Sequence, residues 1–312
     1  MRIAIIGPGV MPIPPNGWGA IEILIWEYYI HLNQYGIDAH IINTSSAEEI
    51  IKNVNDINPD IVHIHYEDWY FLWNKFNCKK VIITNHNAYM ECPHRRNLNI
   101  INGIVNSEMI IHCLSQGIYD LYISLGVTPD RLFILSNGAN KESFYFLEKP
   151  ETDKAIYLAK IDFRKRQYVY QNIPEIDFVG NLSDNRFDAN RANYLGEWNK
   201  DTLYKNLSTY ATLVLLSDGE AHPLVCCEAL VCGLGLVVSS FASANLDKNR
   251  PFITIIPDNK LDDIDFIQEQ VKRNIEISKC MRQEIREYGM MNFSWSNIIK
   301  QYINILQLKI IL

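Results

Sequence analysis

The stretch that decides the fold is Ala211-Thr-Leu-Val-Leu-Leu-Ser-Asp-Gly-Glu-Ala-His-Pro-Leu-Val-Cys-Cys-Glu-Ala-Leu-Val-Cys-Gly-Leu-Gly-Leu-Val-Val-Ser-Ser240. Ala211–Leu216 is wholly apolar and reads as a buried strand. Asp218-Gly219 breaks it, and Pro223 suits the first turn of a helix, where no N–H is needed. From Leu224 to Cys232 the helix is apolar on nearly every side, which predicts burial all round. Gly233 ends it, and Leu236–Ser240 is a second apolar strand. A carboxylate in such a helix costs several kcal/mol unless something satisfies it. Glu228 therefore needs a partner, and the helix contains no Lys or Arg. Adjacent hydroxyls, such as those of a ribose, would serve. Glu220 falls at the carboxyl end of the strand, where open α/β sheets place their ligands. The competing reading is a distant Arg or backbone partner for Glu228 and a solvated Glu220. The strand–turn–helix–strand setting favours a binding site.

Outward from this stretch the chain alternates. Strands are predicted near 3–6, 39–42, 61–65, 81–84, 109–113 and 132–135, with helices near 21–34, 47–54, 98–106 and 116–125 between them. The pattern resumes at 155–158, 176–179, 213–216, 235–239 and 253–256. Alternation of this kind means parallel sheets covered on both faces. At 312 residues, two domains are expected: two Rossmann-like α/β halves facing across a cleft, with the break in the charged stretch Asn140–Asp153.

A net charge of −7 argues against a general nucleic-acid binder. No apolar run reaches the roughly 18 residues of a spanning helix. The opening Met-Arg-Ile-Ala-Ile-Ile-Gly reads as a strand rather than a signal peptide. Seven cysteines, with no Cys-x-x-Cys, point to unpaired thiols in a reducing, cytoplasmic setting and away from structural zinc.

Gly7-Pro-Gly9 follows the first strand, but the dinucleotide fingerprint also needs a third Gly and an acidic residue after the second strand. The second strand ends Ile41-Ile-Asn43, so that reading is rejected. Gly17 and Gly19, just before the first long helix, would let backbone approach a phosphate or sugar at its N-terminus. His63 and His65 share one face of a strand and read as structural or cleft-lining. Asp263-Ile-Asp265 matches a metal-binding Asp-x-Asp, but its position suits the acidic start of a helix. No metal is assigned.

With these residues in place the chain resembles the retaining glycosyltransferases of family 4, which have the GT-B fold. The carriers are Glu220 and Glu228 with seven residues between them, Gly233 and the strand after it, Leu125–Asn140 as a passage into the interdomain linker, and Asn292–Tyr302 as a closing helix. The chain reads Ala221-His-Pro where the family is Gly-rich, and Ala159-Lys160 where it usually has Gly-Arg. The resemblance implies a domain at 1–145 on the acceptor side, a nucleotide-sugar domain at 146–290, and a segment 291–312 packing back on the first.

It also implies roles. Glu220 contacts the donor sugar and Glu228 the ribose. Lys160 and Lys165 meet the diphosphate, where fixed cations stabilise the charge that grows on the leaving group. Pro223, Leu224 and Val225 present the helix N-terminus to the phosphates. Gly196 and Trp198 flank the base through backbone contacts, the Gly17/Gly19 loop covers the phosphates, and His86 approaches the sugar from the end of its strand. No cofactor is implied. The donor is a nucleotide-sugar, UDP- or GDP-linked first, and the partner a glycan or glycoconjugate acceptor, with peripheral membrane contact conceivable through the amphipathic segment Ile298–Ile311. A sugar-nucleotide epimerase on the same fold and a non-catalytic nucleotide-sugar binder are the alternatives.

Overall fold

The computed structural model describes residues 1–92 and 94–311, with side chains described as far as residue 308. It divides into two compact units: Met1–Asn137 with Trp295–Leu312, and Gly138–Ser294.

The first unit runs β1 (Arg2–Ile6), α1 (Ala20–Gln34), β2 (Asp38–Ile42), α2 (Ala47–Ile57), β3 (Ile61–Ile64), β4 (Val81–Thr84), α3 (Leu98–Val105), β5 (Ile110–Cys113), α4 (Gln116–Ser124) and β6 (Leu132–Ile134). Its six strands are ordered β2-β1-β3-β4-β5-β6, and every pair is parallel. β3 and β4 are buried along their whole length, which is why they read as continuous apolar runs rather than alternating ones. The order reverses between β1 and β3, and their carboxyl ends form the crevice where such sheets bind ligands.

The second unit runs β7 (Ala155–Leu158), α5 (Gln167–Tyr170), β8 (Ile176–Val179), α6 (Lys200–Asn206), β9 (Thr212–Leu215), α7 (Leu224–Val231), β10 (Gly235–Ser239), β11 (Ile253–Ile256), α8 (Ile264–Cys280) and α9 (Arg282–Phe293). Its five-stranded parallel sheet has the order β11-β10-β9-β7-β8. The reversal here lies between β7 and β9. Asn274 of α8 is fully buried. Its amide donates to Leu236 O and Phe252 O, both at 3.1 Å, and its carbonyl accepts from Thr212 Oγ1 at 2.9 Å. One side chain thus ties α8 to three segments of the sheet. Asp263 caps α8, accepting from Phe266 N, so the Asp-x-Asp pattern lies at a helix start.

The last helix, α10 (Trp295–Ile305), belongs to the first unit. Trp295, Ile298, Ile299 and Tyr302 are its buried residues, spaced as one stripe of a helix. Part of the segment Ile298–Ile311 singled out for membrane contact lies beyond the described side chains. Among the described residues no helix is long and apolar enough to cross a membrane.

The Tyr302 hydroxyl starts a buried chain of hydrogen bonds. It meets His63 Nδ1 at 2.8 Å, His63 Nε2 meets Thr84 Oγ1 at 2.8 Å, Thr84 Oγ1 meets His112 Nδ1 at 2.8 Å, and His112 Nε2 meets Leu135 O at 2.8 Å. A carbonyl only accepts, so His112 carries its proton on Nε2. Its Nδ1 then accepts from Thr84, Thr84 accepts from His63 Nε2–H, and His63 Nδ1 accepts from Tyr302. Every donor and acceptor is matched with both rings neutral, and the chain links α10, β3, β4 and β5 to the end of β6. Tyr302→Phe removes the first donor and leaves a buried acceptor bare, a loss of about 1–3 kcal/mol. Urea denaturation should show a lower midpoint at unchanged slope. A shift worth less than about 0.5 kcal/mol, well under the usual worth of a buried hydrogen bond, would show that the hydroxyl does not hold α10.

Candidate functional site

At the reversal of the second sheet, the loop after β7 carries Lys160, Arg164, Lys165 and Arg166, and the loop after β9 carries Glu220. Only two of the four cations turn to the carboxylate. Lys165 Nζ donates to Glu220 Oε1, and Arg164 Nη1 lies 2.9 Å from the same oxygen while donating to Gly219 O at 2.5 Å. The Glu220 and Lys165 side chains are about 10% and 11% exposed, so this is a charge cluster largely withdrawn from water. Burial pushes the Glu220 carboxyl up, but Lys165 and then Arg164 outweigh it and hold the group below its ordinary value.

The two loops are fixed to each other by backbone. Asp218 N donates to Arg164 O at 3.0 Å. The buried Tyr157 hydroxyl donates to Lys165 O at 2.5 Å and accepts from Leu216 N at 2.8 Å. Arg166 has a positive φ of 58°, which turns its side chain away to Asp262 at 2.6 Å. Lys160 is exposed at the end of β7, and its carbonyl accepts from Gln167 Nε2 at 2.9 Å.

Pro223 is the cap residue of α7, and its side chain makes no capping bond. The first-turn N–H groups therefore lack the side-chain acceptor that a capped helix supplies. Burial of α7 on all sides, expected from its sequence, is corrected by the structure. Cys226, Cys227, Ala229, Leu230 and Val231 are buried, whereas Leu224, Val225 and Glu228 are only partly so. These three fall at i, i+1 and i+4, one face of a helix, so Glu228 lies on a half-open stripe with the helix N-terminus at one end.

Tyr194–Trp198, which carries the two residues expected beside the base, makes a single bridge, from Tyr194 to Phe178. Gly196 has a φ of +76°, and its carbonyl accepts from Gly180 N at 2.9 Å. A Cβ on Gly180 would lie 1.9 Å from Ala159 O, so the loop can pass this close to β7 only with glycine there. Trp198 packs on the core beside Tyr210, ring centroids 6.4 Å apart.

In the first unit His86 follows β4. Its Nε2 lies 3.4 Å from His65 Nδ1, just past β3, and its backbone N–H donates to Glu67 Oε2 at 3.4 Å. Burial pushes the Glu67 carboxyl up. Gly17 stands in open space, and a Cβ on Gly19 would lie 2.5 Å from Glu22 Oε2. A buried carboxylate thus occupies the end of α1 where a phosphate was expected. The loop after β1 is held by Asn43, which accepts from Gly9 N and donates to Met11 O, both at 2.8 Å. The residue standing where a dinucleotide fold has its ribose-binding acid is thereby spent on the loop itself. Sequence reasoning did not single out Arg164 from its neighbours, nor pair His65 with His86. Adjacency was a signal for the first. The second depended on β3 and β4 being neighbours.

Two parallel-sheet units of this kind define the GT-B class. The chain superposes on sucrose-phosphate synthase from Thermosynechococcus elongatus with a TM-score of 0.75 at 14% identity, over 98% of both chains. Anabaena HepE in complex with UDP and glucose gives 0.73 at 11%, over 98% of this chain and 99% of that one. The lipopolysaccharide outer core galactosyltransferase WaaB gives 0.70 at 15%, over 99% and 100%. Residues 5–143 match the sequence profile of Glycosyltransferase Family 4. No curated relative matches the sequence.

Burial, before any other cause, holds His63, His65, His86 and His112 below the ordinary value of 6.5. His86 is held to about 3 and His112 to about 4. The folded rings refuse protons that the unfolded chain accepts below pH 6.5. Their stabilisation is thus complete above that pH and is lost as pH falls toward the folded values, by at most about 1.4 kcal/mol per unit for each ring. Urea unfolding at pH 7, 6 and 5 should give falling stability, with a shallower slope in His112→Asn. A flat profile would mean that the folded rings take up protons.

Proposed function

We propose that this protein is a retaining, metal-independent glycosyltransferase that moves a sugar from a nucleotide-sugar to a hydroxyl of a glycan or glycoconjugate. The observation that carries the reading is the Lys165–Glu220–Arg164 cluster at the strand reversal of the second unit. Two cations converge on one carboxylate beside a helix end whose cap residue, Pro223, makes no side-chain capping bond. A diphosphate is suited to both. As the glycosidic bond breaks, negative charge accumulates on the leaving diphosphate, and cations already held in place stabilise it without reorganising. Lys165 and Arg164 fill this role, and Lys160, exposed at the rim, adds charge without Arg's bidentate fork.

Glu228, on the half-open face of α7, accepts from the ribose hydroxyls, and Leu224 and Val225 lie beneath the nucleotide. Glu220, held ionised by Lys165 and Arg164, accepts from hydroxyls of the donor sugar and orients them. Gly196 and Trp198 border the base. Retention follows from front-face attack, in which the departing phosphate oxygen takes the acceptor's proton and the new bond forms on the side the old one leaves. His86 and the Gly17/Gly19 loop belong to the acceptor side. A UDP-sugar is the first donor to test, supported by the UDP and UDP-glucose complexes of the Anabaena protein that shares the fold.

Calorimetry against UDP-, GDP-, ADP- and dTDP-sugars should find one class binding at micromolar strength, unaffected by EDTA. Glu228→Ala should weaken it at least tenfold, as expected when a buried polar contact loses its partner. Lys165→Ala should lower turnover more than affinity. Absence of binding to every nucleotide-sugar would overturn the donor assignment. Binding abolished by EDTA would overturn metal independence.

A further inference from the structure

We infer that His65 is a positioning residue: through Nδ1 it fixes His86 as the Nδ1–H tautomer and makes that ring a hydrogen-bond donor rather than a base. The inference deepens the proposed function, since it gives His86 a defined chemical task there.

The argument starts from an imbalance. His65 is 1% exposed, and its Nε2 has no hydrogen-bond partner among the described residues. A neutral imidazole carries one proton, on one nitrogen or the other. A buried N–H without an acceptor is rarer in proteins than an under-satisfied acceptor. The proton of His65 therefore sits on Nδ1, 3.4 Å from His86 Nε2. His86 Nε2 must then accept, which leaves the His86 proton on Nδ1. That nitrogen makes no hydrogen bond among the described residues and is not among the buried unpartnered atoms.

The surroundings hold His65 to this arrangement. Its ring lies 3.9 Å from that of His63 and 5.0 Å from that of Tyr28, centroid to centroid, and both neighbours are buried. His63 cannot replace it, because both His63 nitrogens are committed to Tyr302 and Thr84. The rings of His65 and His86 lie 21° from parallel. The His86 main chain is anchored separately by Glu67, so a change at residue 65 acts on the ring rather than on the loop. Burial keeps both rings neutral. His86 then offers a neutral N–H to an oxygen of the sugar or acceptor, while its second nitrogen, already accepting from His65, is unable to take a proton from the attacking hydroxyl.

The test reads the tautomer and turnover separately, on the full-length protein labelled with 15N-histidine. In the wild type, the ring-nitrogen shifts of His86, assigned with His86→Ala, should show Nδ1 protonated and Nε2 bare. His65→Phe keeps an aromatic ring but has no donor, and should move His86 toward the Nε2–H form that free histidine prefers. His65→Asn places an amide N–H near the position of Nδ1 and should restore the wild-type pattern. His65→Gln places its amide near Nε2 instead and should not, which also covers failure of the Phe variant to fold. Transfer kcat should fall roughly tenfold in the Phe and Gln variants, the lower end of the loss on removing a partner that orients a functional histidine. It should recover in Asn, with nucleotide affinity unchanged throughout. A wild-type His86 protonated on Nε2, or a tautomer unmoved by both Phe and Gln, would overturn the inference. The tautomer moving as expected while His86→Ala leaves turnover intact would support the positioning and instead refute the role of His86 in the proposed reaction.

Discussion

The placement of the Glu220 carboxylate is the constraint on which the second unit's site depends. A charge withdrawn this far from water costs several kcal/mol unless opposite charge is held close. That charge has to come from the loop after β7, because the apolar helix α7 holds no cation of its own. Two loops separated by 55 residues (165 to 220) are thereby obliged to keep a fixed distance. Tyr157, whose hydroxyl touches backbone of both segments, and the Asp218–Arg164 backbone bond maintain that distance without relying on the ions. The cations are consequently in place before any ligand arrives. Preorganised charge of this kind stabilises a developing anion without further cost of reorganisation.

The first unit meets the same difficulty, polar groups in an apolar core, with the opposite solution. Where the site of the second unit buries charges and pairs them, the first, around strands β3, β4 and β5, buries imidazoles and keeps them neutral. Neutrality makes direction matter, since each ring has one donor and one acceptor. The terminal acceptor, Leu135 O, sets the order of the chain back through His112, Thr84 and His63 to Tyr302. A helix distant in sequence, α10, therefore supplies the last donor that the central strands need. The apolar stripe of α10 explains why it docks, and Tyr302 explains its register.

Much of this was legible in the sequence, and what was not has identifiable causes. The strands could be read because parallel strands buried on both faces are continuous apolar runs, as Ile61–Ile64 and Gly235–Ser239 show. Glu220 and Glu228 stood out because carboxylates beside such runs need explanation. The half-open face of α7 was hidden, because Leu224 and Val225 are as apolar as the buried residues around them, and composition alone cannot tell a core stripe from a ligand platform. Which of Arg164, Lys165 and Arg166 faces Glu220 depends on the left-handed backbone at Arg166, a conformation that an arginine does not announce. The occupation of the α1 terminus by Glu22 was likewise hidden, since an acidic residue in a first turn ordinarily marks only a favourable helix dipole.

The two solutions also divide the chemistry that the proposed reaction requires. Transfer with a diphosphate leaving group demands positive charge at one point and no competing base elsewhere, because a strong base near the donor would also activate water. Lys165 and Arg164 supply the charge. In the first unit burial keeps the imidazoles neutral, and the network commits their acceptor nitrogens wherever a partner exists. On the proposed reading the acceptor's proton is then left to the oxygen that the reaction itself uncovers, that of the departing phosphate. On that same reading the accepting oxygen gains its basicity only as the bond breaks, so hydroxyl activation and leaving-group departure become a single event.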